Sequence, residues 1–78
     1  MHVTWRQLRL FQALAETGSV TGAAEAEHVT QPTVSMQLRQ LSEAAGVPLY
    51  EPLGRGIRLT DAGQRLATGF QLLGGQGH

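Results

Sequence analysis

Signals for helix starts and ends are concentrated between Gly18 and Pro48, and they limit the possible folds more than any other feature of the chain. The Ser19 hydroxyl can cap a short, alanine-rich helix that reaches about Glu27, and Thr30 can cap the helix that follows. Only three or four residues separate the two helices, and alanine side chains are small enough to let them cross closely. The pattern therefore predicts a helix-turn-helix.

The longer of these two helices has the clearest pattern in the sequence. Pro32 falls in its first turn, where no N–H is needed, Gly46 suits its C-terminal cap, and Pro48 prevents its continuation. The apolar residues that recur along it at helical spacing are Val34, Leu38, Leu41 and Ala45. We expect this stripe to be buried and the opposite side of the helix to be exposed.

Another helix is predicted before this pair. Between residues 4 and 17 the apolar residues share one helical face, and Gly18 suits the C-terminal cap. The predicted face consists of Leu8, Phe11 and Ala15, with Trp5 and Leu14 beside it.

A hairpin and a fourth helix are predicted after the pair. Residues 49–50 and 57–59 are β-prone, and residues 51–56 between them contain two glycines and a proline, which predicts a hairpin with a long loop. Thr60 can cap the last helix. The apolar stripe of that helix comprises Ala62, Leu66, Phe70 and Leu73.

The order of these elements predicts one mostly α domain with a winged helix-turn-helix fold: three helices, a two-stranded β wing and a C-terminal helix. Residues 1–60 would form the winged helix-turn-helix and residues 61–73 the last helix, which Gly63 and Gly69 are expected to weaken. Residues 74–78 are predicted to be a flexible tail.

Composition excludes several classes of function. The chain has no cysteine, which excludes disulfides, thiolate metal sites and thiol nucleophiles. The histidines at positions 2, 28 and 78 have no metal-ligand spacing, so we expect no metal, no cofactor and no enzyme activity. No apolar run approaches membrane-spanning length and the first residues lack a signal-peptide core, so a cytoplasmic protein is the default expectation.

The charges of the chain balance, with six arginines, no lysine and six acidic residues. DNA-binding domains are usually basic, because neutralisation of phosphates supplies most of their non-specific affinity. The zero net charge therefore predicts weak binding by a single copy, with a shallow salt dependence. It also favours an alternative class of function, a winged helix that holds a protein partner.

The outward side of the third helix carries small, polar and amide side chains, which is the inventory that reads base edges in the major groove. Any amphipathic surface helix has a polar outside, but the capped short helix, the tight turn and the hairpin together favour DNA binding. The candidate DNA-binding residues of this helix are Thr30, Gln31, Pro32, Thr33, Ser35, Met36 and Arg39. Met36 is interpreted as a contact to a thymine methyl group, with an ordinary surface methionine as the alternative.

Two arginines belong to the predicted wing. Arg55 lies between two glycines at its tip, and a guanidinium at such a position suits a narrow minor groove; the alternative is a solvated loop residue. Arg58 alternates with Ile57 and Leu59, so we expect it to face away from the core, either solvated or on a phosphate.

The same segments resemble the LysR family of bacterial transcriptional regulators. The resemblance extends from Thr4 to Gly63 and rests on several motifs in order, which are more specific together than any one of them alone. These motifs are ETGSVTGAA at residues 16–24, HVTQPTVS at residues 28–35, the pair Gly54-Arg55 and LTDAG at residues 59–63.

The resemblance implies a transcription factor that binds dyad-symmetric double-stranded DNA as a homodimer paired through the fourth, linker helix. By position it implies base reading by Thr30, Gln31, Pro32, Thr33, Ser35 and Met36, and a minor-groove role for Arg55. It also implies an effector-binding domain that is absent here. We therefore interpret the chain as an excised domain that is a monomer or a weak dimer in isolation.

Two positions depart from the family pattern. The family often has arginine where Met36 and Pro52 stand, so fewer phosphate contacts are expected. The run Ser35-Met36-Gln37 resembles the subgroup that regulates Calvin-cycle carbon-fixation operons.

Overall fold

The computed structural model describes residues 3–72, which form four helices and one two-stranded antiparallel sheet. The elements are α1 (Trp5–Thr17), α2 (Val20–Glu27), α3 (Gln31–Ala45), β1 (Tyr50–Leu53), β2 (Gly56–Leu59) and α4 (Asp61–Leu72). The predicted order of helix, helix, helix, wing and helix is confirmed. Leu73 and the predicted tail at 74–78 lie outside the described residues.

Side-chain caps fix where the helices begin. The hydroxyls of Ser19, Thr30 and Thr60 accept from the backbone N–H groups three residues later, at 2.9, 3.4 and 3.1 Å respectively, so all three predicted caps are confirmed. His28 ends α2 in the left-handed conformation, with φ 58°, which aims the chain directly into the cap of α3. This is how a turn of so few residues joins the two helices.

The core lies where α1, α2 and α3 meet. Its largest side chains with less than 2% exposure are Phe11, Leu10, Leu14, Leu38, Leu41 and Val34. Ala23 and Ala24 of α2 are also buried, and their small side chains let α2 lie close to its neighbours. The predicted α3 stripe is confirmed for its first three members. Ala45 is exposed, although its phase on the helix is right, so the last turn of α3 extends past the core.

The buried surface of α1 is broader than predicted. Leu8 and Ala15 are only half-buried and Trp5 is 54% exposed, whereas Leu10 is fully buried. The reason is that α1 contacts α2, α3 and α4. A helix with three neighbours buries more than the single stripe that an amphipathic pattern identifies.

The wing is a tight hairpin rather than the long loop that the sequence predicts. Leu53 pairs with Gly56 and Pro52 with Ile57, so the connection contains only Gly54 and Arg55. Gly54 has φ 61°, as a two-residue hairpin turn requires. Proline is compatible with a strand in this ribbon because neither strand is central in a sheet.

Two close backbone contacts hold the wing and α4 against the helices. A Cβ at Gly56 would overlap the carbonyl oxygen of Gly18. The same oxygen accepts a hydrogen bond from the Ile57 N–H at 2.9 Å. A Cβ at Gly63 would overlap the carbonyl oxygen of Leu49. The expectation that Gly63 merely weakens α4 was therefore wrong, because its missing side chain is what permits this packing.

The fourth helix folds back onto α1. Gly63, Ala67 and Phe70 are its buried residues, and the Phe70 ring lies 5.0 Å from the ring of Trp5, tilted by 58°. No helix within residues 3–72 has the length and hydrophobicity needed to span a bilayer.

Candidate nucleic-acid interface

The outward side of α3 is accessible as predicted. Thr30, Gln31, Pro32, Met36 and Arg39 are exposed, Met36 by 49%, and Thr33 and Ser35 are half-buried. We call these seven residues the reading face. The face points outward because Val34, Leu38 and Leu41 hold the opposite side of α3 in the core.

Two hydroxyls of the reading face also stabilise the start of α3. The Thr30 Oγ1 accepts from the Thr33 N–H at 3.4 Å and lies 2.9 Å from the Thr33 Oγ1. Since Pro32 has no N–H and the Thr33 N–H is already bound, the first helical turn offers at most the Gln31 N–H to a ligand. A ligand at this end of α3 would therefore meet side chains more than free backbone N–H groups.

A buried residue of α1 contacts the candidate interface from behind, and this contact was not predicted from the sequence. Gln7 of α1 is only 3% exposed, and its Nε2 donates to the Oε1 atoms of Gln37 at 3.1 Å and Gln40 at 3.2 Å. We call Gln7, Gln37 and Gln40 the amide cluster. The Gln7 Oε1 accepts from the Thr4 N–H at 3.1 Å as part of a capping box. The spacing Thr-x-x-Gln before an apolar run was a detectable signal for the capping box, but not for the contacts to α3.

The arginines of the wing differ in their surroundings. Arg55 is exposed in the two-residue turn, and no carboxylate within residues 3–72 forms an ion pair with it. Arg58 points away from the core as expected, but Glu51 on the paired strand holds it, with Nη2–Oε2 and Nε–Oε2 distances of 2.6 and 3.1 Å. Both side chains are about half exposed, so the pair adds little stability. It leaves Arg55 as the uncompensated cation of the wing.

A groove joins α3 to the base of the wing. Its lining comprises Ser35, Arg39, Ser42 and Glu43 of α3, together with residues 46–48 and Tyr50. The open groove has a volume of about 710 Å³. From Tyr50 the strand extends about 15 Å to the turn at Arg55. Among residues 3–72, Tyr50 at the start of β1 is the part of the wing that lines this groove, and Arg55 lies at the far end of the hairpin.

Metal ligands are not grouped in this interface or elsewhere in the described range. Across residues 3–72 no three side chains of the histidine, aspartate, glutamate or cysteine type form a cluster that could hold an ion.

Comparison with known proteins identifies the family. A family profile described as "Bacterial regulatory helix-turn-helix protein, lysR family" matches residues 5–64. The chain is 57% identical over 63 residues to the HTH-type transcriptional activator CmpR of Synechocystis sp.. The aligned region covers 81% of this chain and 21% of CmpR. The chain is also 52% identical over 66 residues to a RuBisCO operon transcriptional regulator of Allochromatium vinosum, covering 85% and 22% respectively.

Solved structures agree with the sequence relatives. The crystal structure of the CbnR_DBD-DNA complex superposes with a TM-score of 0.86 and 38% identity, over 91% of this chain and 82% of that one. The BenM_DBD/catB site 1 DNA complex gives a TM-score of 0.85 and 33% identity, over 92% and 82%. The chain spans about a fifth of the length of the curated relatives named above. On the strength of the profile match and these identities, the chain belongs to the lysR family of bacterial regulatory helix-turn-helix proteins.

Proposed function

We propose that this chain is the sequence-specific DNA-binding domain of a transcriptional regulator, with α3 in the major groove and the wing in the minor groove. The observation that carries the proposal is the reading face: seven side chains, most of them small or polar, at the N-cap and along the first half of a helix whose other side is fixed in the core. A helix of this width fits the major groove of B-DNA. Two of the solved structures that resemble the chain are complexes of such domains with DNA, which supports the proposal.

Each part of the reading face has a chemistry that suits a base edge. The Gln31 amide can donate and accept at the two groups of an adenine, and the hydroxyls of Thr33 and Ser35 can do either. The Met36 thioether side chain suits a thymine methyl group, and Pro32 adds apolar surface beside it. These roles, with the hydroxyl of Thr30 as a further contact, make the first two turns of α3 the base-reading segment.

The two free arginines of the interface act on the backbone and the minor groove. Arg39 is exposed on α3 beside the groove toward the wing, where it can reach a phosphate or a guanine. Arg55 projects from the wing tip, and a guanidinium is attracted into a narrow minor groove by its negative potential. Because the chain has few other free cations, these two side chains supply most of its salt-dependent affinity.

Pairing of two copies is proposed through α4, which serves as the linker helix. An apolar groove runs along α1 and α4, formed mainly by Leu8, Leu66, Phe70 and Leu72; we call these four residues the linker face. Leu72 is 82% exposed. A homodimer that covers this face would present two reading faces to a dyad-symmetric operator.

The regulated genes are proposed to serve carbon fixation. The run Ser35-Met36-Gln37 lies in the reading face and beside it, and relatives include two named as RuBisCO operon regulators. Action on bacterial DNA places the protein in the cytoplasm. In this proposal residues 1–60 bind DNA and α4 (Asp61–Leu72) acts as the linker helix.

Selection of binding sites from random duplex DNA tests the proposed function. We expect enrichment of a half-site of a few base pairs, and weaker binding of that half-site by Gln31→Ala, with Gln64→Ala on α4 as the matched control. Recovery of no preferred sequence, with equal binding to all duplexes, would overturn sequence-specific recognition. Absence of DNA binding at low salt would instead favour a protein-interaction module.

A further inference from the structure

The amide cluster connects α1 to the edge of α3 that borders the reading face. Gln37 and Gln40 follow Thr33 at positions i+4 and i+7, so the three residues lie along one edge of the helix. Gln37 is half-buried and Gln40 is exposed. Gln7 reaches this edge from the buried side, through its two hydrogen bonds.

Hydrogen-bond chemistry fixes the orientation of all three amides. A backbone N–H can only donate, so the atom of Gln7 that faces the Thr4 N–H must be its Oε1. The Gln7 Nε2 is then the atom directed toward α3, and since an NH₂ group can only donate, Gln37 and Gln40 must turn their oxygens toward it. Their own NH₂ groups therefore point away from Gln7.

These amino groups are available as donors at the surface of α3. None of the side-chain hydrogen bonds within residues 3–72 uses the Nε2 of Gln37 or of Gln40. Both residues are neutral, so they can donate to an acceptor-only group without adding charge. In a chain with zero net charge and six arginines, of which Arg9 and Arg58 are paired with carboxylates, such donors matter more than in a basic domain.

We propose that Gln7 is a positioning residue for DNA binding: it holds the side-chain amides of Gln37 and Gln40 with their NH₂ groups outward, where they donate to phosphate oxygens of the DNA backbone. This inference rests on the proposed function, since it requires α3 to lie in the groove. Phosphate oxygens accept but never donate, so only this orientation of the amides is productive. A free glutamine would present its oxygen as readily as its nitrogen and would lose rotamer entropy on binding.

A double-mutant cycle on DNA affinity tests this role. Gln7→Met removes the orienting amide and keeps the length of the side chain, and the combination Gln37→Ala with Gln40→Ala removes the donors. We expect Gln7→Met to weaken binding to the selected duplex by about fivefold, the size of one ordinary hydrogen bond. In the background that lacks both donors, Gln7→Met should cause no further loss.

Salt dependence and spectra add two further readouts. The slope of log Kd against log salt should be unaltered by Gln7→Met, because no charge is lost, whereas Arg39→Ala should reduce it by about one. In the wild-type domain the side-chain NH₂ resonances of Gln40 should shift when DNA is added, and those of Gln64 on α4 should not.

The outcomes separate this inference from the proposed function. Full affinity in Gln7→Met, or an equal loss in the background without the two donors, would overturn the positioning role while leaving DNA binding intact. Failure of the wild-type chain to bind any duplex would overturn the proposed function as well. Unfolding by urea, measured in parallel, ensures that the affinities compare folded proteins.

Discussion

Met36 shows how a single side chain can change the recognition chemistry of a helix. It stands on the outward side of α3 with about half of its surface exposed, at a position where the family often has arginine. A thioether side chain offers no charge to a phosphate, but it can pack on an apolar group. In the major groove the thymine methyl is the apolar group that distinguishes one base from another. We therefore expect Met36 to contribute to specificity more than to overall affinity.

Substitution of Met36 by alanine tests that role. If Met36 covers a thymine methyl, Met36→Ala should weaken binding to the selected site by about 1 kcal/mol, roughly fivefold, since about one methylene-sized contact is lost. Binding to random DNA should be unaffected. The measurement is fluorescence anisotropy on both duplexes, with Gln64→Ala as a surface control. Equal losses on both duplexes would refute the thymine contact.

At the scale of elements, the parts that the sequence predicts well are those set by local chemistry. The caps at Ser19, Thr30 and Thr60 place three helix starts correctly, because a cap is a local interaction between a hydroxyl and the N–H three residues later. The exposed reading face follows in the same way from the apolar stripe of α3. The wing itself was predicted correctly, but its connecting loop was predicted too long because Pro52 resembles a loop residue; only the pairing of β1 with β2 shows that a strand tolerates proline at this position.

Contacts between distant elements could not be predicted from periodicity. The hydrogen bonds from Gln7 to α3, the pairing of Arg58 with Glu51 and the packing of Gly63 on Leu49 each join residues whose proximity depends on the assembled fold. In all three cases the sequence identifies a residue of suitable chemistry but not its partner. The exposure of the candidate residues on α3 could therefore be predicted, whereas their contacts to other elements could not.

Two glycines of α4 provide a matched test of this packing. Gly63→Ala should lower the free energy of unfolding by about 1–3 kcal/mol, because the new Cβ would overlap the Leu49 carbonyl oxygen. Gly69→Ala places its Cβ in open space and should raise the free energy of unfolding by about 0.5–1 kcal/mol through helix propensity. Urea denaturation of both variants gives the comparison. Shifts of the same sign would contradict the close contact at Gly63.

For the whole molecule, the linker face and the zero net charge both bear on how tightly the protein is expected to bind DNA. A single copy has few free cations to hold a duplex, so a second copy paired through α4 would double the number of contacts on one operator. The linker face has only four members, however, and Phe70 among them is already buried within the chain. Pairing should therefore be weak until DNA aligns the two copies.

Sedimentation velocity tests the assembly. The isolated chain should be mostly monomeric at micromolar concentration, and addition of a palindromic duplex should give a complex with two copies. Leu66→Gln on the linker face should leave binding to a half-site unchanged and reduce the formation of this complex. A tight dimer without DNA would contradict the expectation.

Simultaneous contact of the reading face and the wing tip with one duplex is the claim on which the proposed function rests. The most direct measurement is a titration of the ¹⁵N-labelled domain with a duplex that carries one half-site, so that pairing through α4 does not contribute. The predicted result is that the largest amide shifts occur in residues 30–39 and in residues 54–56, while α4 changes little. Shifts centred on α4, or confined to α3 with none at Arg55, would contradict it.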